Sequence, residues 1–155
     1  MTNYQSFLKK GKAVEQEFAK LFRDTVNSTP QQDMVDHWDV QINYKFDVKG
    51  LKKTNRADKN PNQFIHWVVL RNVNGQSGWL YAPEVDFFVF ELINYWLIVQ
   101  KEKLQQLVFE KIDEVFCETP TLYKLYRRND RPQEACVLVD TIDLIYISEL
   151  LIKKQ

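Results

Sequence analysis

Two short stretches, His37-Trp-Asp-Val-Gln-Ile42 and Lys45-Phe-Asp-Val-Lys49, alternate apolar with polar residues and are separated by little more than Asn43-Tyr44. A period of two is the signature of a half-buried strand, so the pair is predicted to form a hairpin. Parity then limits how the strands can meet. If the connection holds an odd number of residues, Trp38, Val40 and Ile42 share one face with Phe46 and Val48, while Asp39, Gln41, Asp47 and Lys49 share the other. An even connection sets Asp39 beside Phe46 and Val48 and leaves a charge among apolar neighbours. The odd register is therefore expected, with Asp39 and Asp47 opposite at roughly 5 Å between Cβ atoms, or diagonal at about 7 to 8 Å.

The rest of the chain builds around this ribbon. From Ser6 to Val26 the apolar residues Phe7, Val14, Phe18, Leu21 and Phe22 recur at helical spacing, and Asn27-Ser-Thr-Pro30 is expected to end that helix. A polar run from Lys52 to Asn62 interrupts the sheet before Phe64–Leu70 resumes it. Asn74-Gly75 signals a hairpin turn, so Gly78–Tyr81 should fold back as a strand. Asp86–Phe90 and Tyr95–Val99 read as a further strand pair, Glu102–Val115 as a helix, Ala135–Val139 as a late strand and Thr141–Lys153 as holding a short terminal helix. Leu122–Arg131 has no clear period. With 155 residues, no internal repeat and no linker-like segment, the chain is expected to be one α/β domain over residues 1–155, a mixed β-sheet flanked by helices.

Composition excludes several classes. Lys plus Arg (21) balance Asp plus Glu (21), so this is no polycation, and any grip on nucleic acid must come from local patches. Cys117 and Cys136 are too few for a disulfide scaffold or a four-thiolate zinc site, and His37 and His66 have no zinc spacing, which suits a reducing cytoplasm. Met1–Gly11 lacks an export-signal apolar core, and Val85–Val99 is too short and too often broken by polar residues to span a bilayer.

The chemistry concentrates at the hairpin. Two facing carboxylates repel unless a cation lies between them, and hard oxygen ligands suit Mg²⁺ or Mn²⁺. Lys49 adds an ammonium on the same face. Acids that hold an ion, beside a lysine that orients water, are what metal-assisted phosphodiester hydrolysis needs. The plain alternative is a cross-strand ion pair on a solvated face. Lys45, Lys52, Lys53, Arg56 and Lys59 crowd into the adjoining stretch and form a phosphate-attracting patch for DNA or RNA. A second cluster, Tyr123–Arg131, interleaves aromatics with cations and would stack bases or simply pack on the surface. Gln63 and His66 stand where a polar group could approach the acids, and the four tryptophans read as packing residues.

These residues carry a resemblance. Gly11-Lys-Ala-Val-Glu15 resembles the opening of the first helix of the PD-(D/E)XK nuclease superfamily, as in archaeal Holliday-junction resolvases. Asp39 resembles its first aspartate, and Asp47-Val48-Lys49-Gly50 its acid-x-lysine strand. The likeness covers roughly the first third of the chain, and the proline that gives the family its name is replaced by Trp38. It implies a restriction-endonuclease-like mixed sheet flanked by helices, a group in which small phage-encoded proteins are common. It further implies a Mg²⁺- or Mn²⁺-dependent deoxyribonuclease, with Asp39, Asp47 and Glu15 as metal ligands and Lys49 positioning the attacking water. The product would carry a 5′-phosphate, the substrate would be duplex or branched DNA, and a homodimer would fit members that cut both strands.

Two assignments stay open at this level. Glu15 and Glu17 lie about 200° apart on a helical wheel and cannot both face the sheet; the family pattern favours Glu15. Asp36 rivals Asp39, but it has the parity of Trp38 and hence of the apolar face, so Asp39 is preferred. The rivals to the nuclease are a catalytically inactive nucleic-acid-binding module of the same fold and a protein-interaction domain with no metal site.

Overall fold

A computed structural model describes residues 3–22, 25–51 and 66–154, with side chains described from Lys9 onward. The basic stretch from Lys52 to Lys59 and Gln63 lie outside the described residues. The architecture is mixed α/β, with four helices and eleven strands among the described residues. The strands form two mixed sheets where a single one was expected.

Helix α1 (Asn3–Ala19) is shorter than its apolar spacing suggests. Its end tightens, because Leu21 and Phe22 donate to the carbonyls of Phe18 and Ala19, three residues back. Val26–Asn27 then leaves the helix altogether as β1, paired to β2 (Val40–Gln41). Pro30 does not merely end a helix; it starts one. Helix α2 (Pro30–Asp36) has Pro30 in its first turn and a reciprocal capping box, in which Thr29 Oγ1 accepts from Gln32 N–H and Gln32 Oε1 accepts from Thr29 N–H. His37 closes α2 in the left-handed conformation, φ 59°, unusual for a residue with a side chain.

The six-stranded sheet has the order β1-β2-β3-β6-β7-β11, with β3 (Lys45–Lys49) parallel to β6 (Phe87–Glu91) and antiparallel to β2. Strand β7 (Tyr95–Gln100) pairs with β6 as the sequence suggests. Between β3 and β6 the chain crosses to a second layer, where β4 (His66–Val73) and β5 (Gln76–Ser77) turn at Asn74-Gly75. The return strand is shorter than expected and Trp79–Tyr81 forms a 3-10 turn, since Tyr81 N–H bonds back to the Gly78 carbonyl. Gly78 is required here: a Cβ would collide with the Leu70 carbonyl oxygen.

The second sheet, order β5-β4-β10-β9-β8, uses segments the sequence left unclear. Helix α3 (Lys101–Lys111) stops before Ile112, and Asp113–Cys117, expected to stay helical to Val115, becomes β8. The unreadable stretch supplies β9 (Lys124–Arg128), the late strand lengthens to β10 (Arg131–Asp140), and the terminal helix α4 (Thr141–Ile147) is followed by β11 (Leu150–Lys153).

Two cores result, one on each face of the six-stranded sheet. On one face Phe18 and Ala19 of α1 meet Val40, Phe46, Val48, Val89, Trp96 and Ile98. On the other, Phe88, Phe90, Leu97 and Val99 pack against Trp67, Val69, Val137 and Val139 of the second sheet, with α3 and α4 alongside. Val40, Phe46 and Val48 thus share a face as parity requires. Trp38 does not: it joins the opposite core, because regular pairing begins only at Val40 and the turn at His37 resets the direction of the side chain.

Candidate active site

The ladder places the acids. Val40 pairs with Phe46, and Asp39, just before the paired strand, lies close enough to Asp47 for the two charges to act on each other. The Asp39 N–H donates to the Phe46 carbonyl at 2.7 Å, and its carboxylate Oδ2 accepts from the Val48 N–H at 2.6 Å. The side chain thereby takes a place in the ladder that β2 leaves vacant, which locks its orientation to β3. Both acids are nearly sealed from solvent, Asp39 at 6% and Asp47 at 4% exposure.

Lys49 stands two residues along the same face. Its Nζ lies 2.6 Å from Asp47 Oδ2 and 4.3 Å from the centre of the Trp79 ring, which packs on Phe88 at 4.8 Å. The ammonium is therefore gripped between a buried anion and an aromatic face. Apart from this ion pair, Asp47 Oδ2 has no hydrogen-bond partner among the described residues. Of the expected trio, Asp47 and Lys49 are in direct contact, and both act on Asp39 through their charges.

Burial and crowding set the charge state. Burial is the main cause that pushes the Asp39 carboxyl up to about 9, with the negative charges of Asp47 and then Glu15 adding to it against the Val48 N–H and Lys49. Burial also raises Asp47, opposed by the charge and contact of Lys49. At neutral pH Asp39 therefore holds its proton, and the two crowded carboxyl groups titrate as a pair, with Lys49 favouring charge on Asp47.

Glu15 is half-buried and Glu17 exposed, so the helix turns Glu15 toward the sheet. Burial raises the Glu15 carboxyl first, followed by Asp33, with Lys12 opposing and smaller effects from Asp47 and Lys49. Yet α1 covers the Phe46 and Val48 face, opposite the one that carries Asp39 and Asp47. Glu15 thus acts on the pair through its field. Among the described residues no three Asp, Glu, His or Cys side chains converge closely enough to enclose an ion. Asp36 ends α2 and is partly exposed.

Asp33 and His37 belong to this neighbourhood and were missed by the sequence reading. Asp33 raises both Glu15 and Asp47, while the imidazole of His37 lowers Asp47. Both sit on or at the end of α2, and Thr29-x-x-Gln32 was the signal that announced that helix.

The expected phosphate contacts fare differently. Of the basic patch only Lys45 is described, and it is engaged, 2.7 Å from Glu84 and 5.4 Å from the Trp38 ring centre. The second cluster is also internally satisfied: Lys124 pairs with Asp113, Arg128 with Asp130 and Glu134, Arg131 with Glu134, and Arg127 covers Phe116. Tyr123 donates its hydroxyl to Asp143. Those residues pack the surface of the second sheet. His66 is exposed at the start of β4, paired in register with Asp140.

Two buried carboxylates with an adjacent ammonium fit Mg²⁺ in donor chemistry, because that ion keeps several waters and commonly takes only one or two protein carboxylates, the remainder coming from substrate phosphate. No helix among the described residues is long and apolar enough to cross a membrane. Comparison with known protein families, with curated proteins and with solved structures returns no match.

Proposed function

We propose that the chain is a divalent-metal-dependent nuclease that hydrolyses DNA phosphodiester bonds, with a restriction-endonuclease-like core. The observation that supports this reading is the burial of two acids together, Asp39 bonded through its carboxylate to the Val48 N–H and Asp47 paired with Lys49 at 2.6 Å. Burying two acids against each other costs free energy in proportion to their repulsion, and a structural surface ion pair needs only one of them. Retaining both makes sense where a cation is to be bound.

In this reading Asp39 and Asp47 hold Mg²⁺ or Mn²⁺, and Glu15 and Asp33 add negative charge that favours the cation at longer range. The ion, when bound, would acidify a water and offset the charge of the phosphate. Asp39 gives up its proton when it becomes a ligand. Lys49, relieved of part of its pairing with Asp47, aims its ammonium at the attacking water or a phosphate oxygen, and Trp79 limits its swing.

Supercoiled plasmid incubated with Mg²⁺ should be nicked or linearised, with EDTA, Asp47→Asn and Lys49→Ala each abolishing the reaction. Intact plasmid with the native chain overturns hydrolysis. A second reading has one observation in its favour: Lys49 is already engaged on both sides, by Asp47 and by Trp79. A nucleic-acid-binding module without turnover would then shift DNA in a gel with the same affinity in Mg²⁺ and EDTA.

A further inference from the structure

A cleft of about 350 Å³ opens between the end of α2 and the β4–β5 hairpin, joined to Lys49 through Trp79. His37 and Trp79 line it, and these are the residues that reach the site from either side: His37 through its effect on Asp47, Trp79 through its contact with Lys49. Leu70 contributes apolar surface, and Asn74, Gln76 and Ser77 contribute amide and hydroxyl groups. Gln76 and Ser77 are exposed, and β5 is the edge strand of its sheet, so these side chains are open to an incoming molecule.

The lining has a distinct chemistry. It joins an aromatic ring and an aliphatic side chain to neutral groups that both donate and accept hydrogen bonds, as the planar face and polar edge of a nucleobase require. Its volume suits a ligand of roughly nucleoside size. Lys49, 4.3 Å from the centre of the Trp79 ring, supplies a cation where a phosphate attached to that nucleoside would arrive.

We propose that this cleft is a nucleoside subsite, which takes the base and sugar next to the phosphate held at Asp39, Asp47 and Lys49. The inference rests on the nuclease reading and adds to it that one base is drawn out of its stack into the cleft, so that single-stranded or locally opened DNA is the favoured substrate. Fixing the nucleoside fixes the adjacent phosphate against Lys49, and the subsite thereby contributes to orientation as well as affinity.

Titrating the ¹⁵N-labelled chain with dAMP tests this directly, with 2-deoxyribose 5-phosphate and inorganic phosphate as controls. The Trp79 indole N–H and the backbone amides of Gln76–Gly78 should shift with dAMP. The base-free phosphates should bind about tenfold more weakly, the usual worth of a stacked base. Gln76→Ala, an exposed change that leaves the fold intact, should weaken dAMP several-fold and leave inorganic phosphate unaffected. Equal binding of dAMP and 2-deoxyribose 5-phosphate, or shifts confined to other parts of the chain, overturns the subsite. The two failures are separable. If DNA is cut while dAMP leaves these signals unmoved, the subsite is wrong and hydrolysis stands; if dAMP shifts them while both plasmid and a single-stranded oligonucleotide survive with Mg²⁺, hydrolysis is wrong and the subsite stands.

Discussion

Replacing Asp39 by Asn should make the metal-free protein less sensitive to alkali. In the unfolded chain an aspartate has lost its proton well below pH 6, whereas burial beside Asp47 keeps the folded Asp39 protonated past neutrality. Folding therefore takes up a proton over this range, and stability falls as pH rises, by about 1.4 kcal/mol per unit for one full proton. Between pH 6 and pH 8 the loss amounts to roughly 3 kcal/mol, a large part of the 5–15 kcal/mol typical of a domain. Asn cannot titrate, has nearly the same shape, and can still accept from the Val48 N–H through its side-chain oxygen. Urea unfolding in EDTA, followed by tryptophan fluorescence at pH 6, 7 and 8, measures both slopes. The native chain should lose stability with pH, and Asp39→Asn should lose much less. Equal slopes, or a native chain that gains stability toward pH 8, would refute the shared-proton account.

Other perturbations have equally definite outcomes. Lys49→Ala leaves Asp47 buried without its partner and should cost roughly 2–3 kcal/mol, measurable by urea unfolding. Gly78→Ala drives a methyl into the Leu70 carbonyl and should lower stability by roughly 2–3 kcal/mol, measurable as a drop in Tm. Thr29→Ala removes the capping box of α2 and should cost about 1 kcal/mol, with loss of amide protection over Gln31–Asp36 in hydrogen exchange. Adding Mg²⁺ at pH 7 should release close to one proton per ion, seen as a dependence of calorimetric heat on the buffer, because Asp39 must ionise to become a ligand.

What could be read from the sequence was the part fixed by alternation. Val40, Phe46 and Val48 can be buried together in only one register, and the structure has that register. The same logic failed at Trp38, where the left-handed residue His37 turns the backbone just before pairing begins. Proline breaks a helix interior, which makes Pro30 read as a terminator, whereas the Thr29–Gln32 box marks a helix start. The second sheet was hidden for a different reason. Strands β8 and β9 group their charged residues, Asp113, Glu114, Lys124, Arg127 and Arg128, apart from their apolar ones instead of alternating them, so tertiary pairing outweighs a weak local pattern. Asp33 could not be recognised as a neighbour of the site before α2 itself was recognised.

The central claim is that Asp39 and Asp47 share one cation. Crystals soaked in Mn²⁺ and measured at an anomalous wavelength answer it most directly. The account predicts one strong peak per chain, within about 2.5 Å of a carboxylate oxygen from each aspartate and absent in Asp47→Asn. A peak at any other acidic group, or none between these two at saturating Mn²⁺, would contradict it.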